Sequence, residues 1–140
     1  MESAREGCHI ILKLGDGEDV FNSLEIILEQ YRLKGALVLS GIGMLRDFEI
    51  GYFDGKKYQN EAHEEPHELV SLHGSISTEG GLVIHLHAAL AGKDHSLIGG
   101  HLHKATACIV NEIVLSAVEE TRMERAPDPS TGLKLLHLGD

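Results

Sequence analysis

Tryptophan is absent and aromatic residues make up only 4% of the 140-residue chain, so a core must come mainly from Leu, Ile, Val and Ala. Two cysteines are present, Cys8 and Cys108, with no C-x-x-C spacing. They read as reduced thiols of a cytoplasmic protein rather than as a disulfide framework. No run approaches the roughly 18 apolar residues of a membrane span. The polar start, Met1 to Gly7, lacks the apolar segment of a signal peptide. Basic residues are scarce: 12 Lys and Arg against 22 Asp and Glu, for a net charge of −10. Lys13, Lys34, Lys56, Lys57 and Lys104 are dispersed and form no stripe. That argues against a large self-contained surface for nucleic acid, which needs clustered cations against phosphate, and leaves a local basic patch in an oligomer as the alternative.

What is present fits one folded domain over residues 1–140. Hydrophobic residues are 42% of the chain and charged residues 24%. A chain of this length buries roughly two thirds of its unfolded surface and needs no disulfide to do so. One helical pattern stands out, with Val20, Leu24, Ile27, Leu28 and Tyr31 at helical spacing. Asp16 or Asp19 supplies its cap, and Lys34-Gly35 the stop.

The remaining apolar segments read as strands: Cys8 to Leu14, Ala36 to Ser40, Leu45 to Phe53, His67 to Ser77 and Leu82 to Leu90. His101 to Val110 and Glu112 to Glu119 read as two strands or one long bent one, and Leu133 to Leu138 as the last. Gly41-Ile42-Gly43 is expected to bend the chain, Asp54-Gly55 to turn a hairpin, and Lys56 to Tyr58 to return from it. Asn60 to Pro66 is expected to form an acidic loop, Gly92 to Gly100 a glycine-rich loop, and Arg122 to Thr131 a polar connection. One helix against many strands predicts an α+β domain with a large, mainly antiparallel or mixed sheet.

Ten histidines are spread through the chain, and three of them form the most informative pattern. Side chains alternate along a strand, so His85 and His87 share a face with Val83 and Ala89. Leu82, Ile84, Leu86, Ala88 and Leu90 take the other face, towards the core. Like-facing neighbours on a strand stand about 6.7 Å apart, close enough for two imidazoles to lean onto one ion. His101 follows 14 residues after His87, beyond a glycine-rich stretch that lets the next strand return alongside. His103 shares its strand face and is a fourth candidate, and His73, on the preceding strand, is a candidate for the surrounding shell. Nitrogen ligands favour Zn²⁺ among divalent transition metals, and three histidines leave one coordination position for water or a small-molecule ligand.

Other candidates carry less. Gly41-Ile42-Gly43 lacks the spacing of a nucleotide-binding loop. Glu61, Glu64 and Glu65 are candidates for a general base, with a solvated acidic loop as the alternative. Arg46 is a candidate to orient a carboxylate, with a surface charge as the alternative. Ser40 has no evident base partner.

The segment Gly35 to Gly43, the strand His67 to Ser77, and above all His85-Leu86-His87 followed by Ile98-Gly99-Gly100-His101-Leu102, resemble the PPC (plants and prokaryotes conserved) domain over about residues 8–137. The resemblance implies an α+β fold of the general acetolactate-decarboxylase type and a homotrimer. It also implies zinc at His85, His87 and His101. Members of the family are associated with DNA, but this chain has no Arg-Gly-Arg-Pro hook and is acidic, which disfavours direct DNA binding. Whether the protein is an enzyme is left open by the sequence, as are a metal-dependent reaction, a DNA-associated role and an assembly role with a structural metal.

Overall fold

The computed structural model describes residues 1–139. Chain order is β1 (Glu2–Glu6), β2 (His9–Gly15), α1 (Val20–Tyr31), β3 (Gly35–Phe53), β4 (Tyr58–His63), β5 (His67–Ser77), β6 (Val83–Ala91), β7 (Leu97–Val118), β8 (Arg122–Pro127) and β9 (Lys134–Gly139). The main sheet runs in the order β1-β2-β7-β6-β5-β3-β4, and β8 pairs with β9 separately. All named strand pairs are antiparallel. An additional β7–β3 pairing joins the two sides, so β3, β5, β6 and β7 form a closed ring. The α+β expectation holds.

Alternation explains the core. Along β6, Leu86, Ala88 and Leu90 are buried, and His85 and His87, which alternate with them, face away. Leu72 and Ile76 of β5, Leu102, Ala105 and Ala107 of β7, and Ile10, Leu12 and Leu14 of β2 join the same cluster. The helix adds Val20, Leu24, Ile27 and Leu28. Asp19 caps it by accepting a hydrogen bond from the Asn22 amide at 2.8 Å. Asp16 instead accepts from the Ile109 amide and pairs with Arg46.

Several local expectations differ from the structure. The helix ends at Tyr31, with Arg32 in the left-handed region at φ 53°. Gly35 serves another purpose: a Cβ there would lie 3.0 Å from Met123 Sδ, so its bareness lets the buried Met123 pack. The predicted bend at Gly41–Gly43 is absorbed within one 19-residue strand by register shifts at Val38/Ser40 and Gly43/Leu45. β7 is one continuous strand whose residue Ile109 adopts φ 62°.

The acidic loop is in large part β4, whose polar residues ladder onto β3. Leu97 to Gly100, expected in a loop, already pair with β6. A Cβ at Gly99 would stand 2.5 Å from the Ala88 carbonyl oxygen, and one at Gly100 2.7 Å from that of Gly51. These glycines permit tight strand packing rather than an open loop. The polar start and the polar connection Arg122 to Thr131 also contribute strands, β1 and β8, and Leu82 lies outside β6 and is 39% exposed.

Gly74 faces β6 so closely that an added Cβ would collide with the His85 carbonyl. Gly74→Ala is expected to lower stability by about 2 kcal/mol or more, as overpacking of backbone against backbone does. Gly55→Ala, where a Cβ meets nothing within 4 Å but φ is +94°, is expected to cost about 1 kcal/mol. Urea unfolding of both variants checks the order; equal losses would contradict this reading of Gly74.

Candidate metal centre

His87 of β6 and His101 of β7 are direct cross-strand partners, and His85 lies two residues before His87 on the same face. Directly opposed residues bring their side chains together, and the strand repeat adds the third. One ligand atom from each of the three lies within 4.8 Å of the others. The Nε2 atoms of His85 and His87 are 3.2 Å apart. Two nitrogens bound to one tetrahedral ion at 2.0–2.1 Å would be separated by about 3.3 Å. The residues therefore fit a metal ion. His85 and His101 are half-buried and His87 is exposed.

Neighbouring strands set the rings. Tyr58 Oη at the start of β4 is 3.3 Å from His101 Nδ1. Arg125 Nη2 of β8 donates to Ser75 Oγ at 2.8 Å and lies 3.2 Å from His85 Nδ1. Burial, and then the Arg125 charge and His87, push the His85 pKa down. Burial, followed by His103, His85, His87 and Arg125, lowers that of His101 to about 4. Both shifts favour the neutral ring, the state in which imidazole binds metal.

A cavity of about 440 Å³ opens beside the histidines. Tyr58, His85, His101, Arg125 and Lys134 supply its polar wall, and Val83, Ile84, Leu133, Leu135 and Leu136 its apolar one. Tyr58, Ser75 and Arg125 were not singled out in the sequence. Tyr58 had a weak signal as an aromatic residue just past a hairpin turn; Arg125 had none, because its polar surroundings read as a connection.

The other candidates fall elsewhere. His103 packs its ring 4.4 Å from His101, centroid to centroid, but is outside the three-residue group; its Nε2 is buried without a hydrogen-bond partner. His73 opposes His87 across β5 and β6, yet is exposed and also outside the group. His67 stacks edge-on against Phe48. Glu61 lies beside His63, and none of Glu61, Glu64 and Glu65 lines the cavity. Arg46 is held by Asp16.

The profile of the Plants and Prokaryotes Conserved (PCC) domain matches residues 1–119. The chain belongs to this family. Among solved structures, this PCC chain is similar to a metal-containing protein from Archaeoglobus fulgidus, with 36% identity, a TM-score of 0.82 and 94% of each chain covered. A plant- and prokaryote-conserved protein from Pyrococcus horikoshii aligns with 25% identity and a TM-score of 0.81, covering 97% of this chain and 93% of that one. The bifunctional protein GlmU of Synechococcus sp. (strain JA-3-3Ab) is 34% identical over 130 residues, 91% of this chain. The chain spans only 20% of that relative's length. The hairpin β8–β9, which carries Arg125 and one cavity wall, follows the residues matched by the PCC profile.

The neutral His101 gives a pH expectation for metal-free protein. Unfolded, it takes up a proton near its ordinary value of 6.5; folded, only near 4. The unfolded state therefore binds more protons between these values, and stability falls as pH is lowered from 6.5 towards 4. Urea midpoints across this range are expected to drop, and to drop less in His101→Gln. An equal drop in the variant would contradict the assignment.

Proposed function

We propose that this PCC-domain protein binds a divalent transition metal, zinc by preference, through His85, His87 and His101, and uses it on a small polar molecule. The observation that carries the reading is the 3.2 Å separation of the His85 and His87 Nε2 atoms, with His101 directly across the ladder. A divalent ion with three imidazole ligands and one open position polarises a carbonyl or activates water. Tyr58 would accept the Nδ1 proton of His101 and so keep its Nε2 turned inward. The apolar wall of the cavity limits water around the open position. The metal-containing relative from Archaeoglobus fulgidus supports the reading.

A homotrimer is part of the proposal. Leu37, Leu39, Ile42 and Val70 are large apolar side chains exposed on β3 and β5, a surface that association would cover. A cytoplasmic location suits the free thiols of Cys8 and Cys108. The net charge of −10 weighs against a DNA-associated role.

Metal analysis of untagged protein is expected to find about one ion per chain, as a folded histidine site retains its ligand. Less than about 0.2 ion per chain would overturn the proposal. His87→Ala, an exposed position, is expected to weaken zinc binding at least about tenfold without unfolding the protein. Light scattering at micromolar concentration tests the trimer, and a monomer would contradict it.

A further inference from the structure

We infer that Arg125 anchors the negative end of a small organic carboxylate in the cavity beside the histidines. The inference deepens the metal reading, on which it rests for the ligand's second contact but not for its first.

Arg125 is a half-buried cation without an ion pair among the described residues. Its contacts are neutral: the Lys134 carbonyl at 3.0 Å, Ser75 Oγ and the His85 ring. Its Nε is buried with no hydrogen-bond partner among the described residues. A half-buried guanidinium on the cavity wall whose Nη groups meet only neutral partners is a site for a carboxylate, whose two oxygens match its fork. Among the described residues the cavity wall carries Arg125 and Lys134 and no acidic side chain, in a chain with 22 acidic residues.

The contact with His85 points the same way. Coordination through His85 Nε2 leaves its Nδ1 protonated, and that N–H then faces the Arg125 N–H. Two donors repel, so with a metal on Nε2 the ring would no longer accept from Arg125, and the guanidinium would be left to an anion. The cavity volume of about 440 Å³ suits a small molecule.

The test is calorimetric titration of pyruvate, and of its uncharged methyl ester, into zinc-loaded and metal-free protein. Wild type, Arg125→Gln and a distant charge control, Lys13→Gln, are compared. Pyruvate is expected to bind wild type and Lys13→Gln alike, and to bind Arg125→Gln at least about tenfold more weakly. The ester should also bind at least about tenfold more weakly than pyruvate, a comparison that needs no variant. Zinc content of Arg125→Gln should match wild type. Equal binding of pyruvate by wild type and Arg125→Gln, equal binding of ester and acid, or no binding of pyruvate in either metal state would overturn the inference. Arg125-dependent binding in protein that takes up no zinc would sink the metal reading alone.

Discussion

The pairing of β6 with β7 is the constraint on which the site depends. It sets His87 opposite His101, and a one-residue slip would turn every histidine of one strand into the core. The buried Leu86, Ala88 and Leu90 oppose that slip, because it would expose them. Glycines hold the neighbouring backbones near enough for the pairing to be shared around the ring: Gly74 against His85, Gly99 against Ala88, Gly100 against Gly51. The same alternation that builds the hydrophobic cluster therefore aims the imidazoles.

Charge is distributed against the average. Among the described residues of a strongly acidic chain, no carboxylate lines the cavity, and Arg125 stands there beside two rings whose charged form is disfavoured. Adding an ion to such a surface raises its positive potential further. Anions are the molecules this arrangement attracts, and the dominant negative charge elsewhere on the chain would repel the same anions from other surfaces.

Much of this was legible in the residues. The helix, β2, β5 and β6 follow from apolar periodicity, and the histidine trio from strand alternation plus the spacing to His101. Less legible were strands whose partners satisfy them without apolar side chains. β1 and β4 are stabilised by ladder hydrogen bonds to β2 and β3, so their polar composition reads as loop. Arg125 carries no local signal for a related reason: its place over His85 is set by a long-range return of the chain, anchored by Met123 against Gly35. No local pattern encodes that return.

The two outermost strands of the main sheet are β1, Glu-Ser-Ala-Arg-Glu, and β4, Tyr-Gln-Asn-Glu-Ala-His. Unpaired strand borders invite runaway addition of further chains, and charged, short borders discourage it. With both margins so guarded, continuous β-stacking of the main sheet between copies is disfavoured. Association through that sheet is thereby steered to side-chain surfaces, where growth can stop at a closed number of subunits.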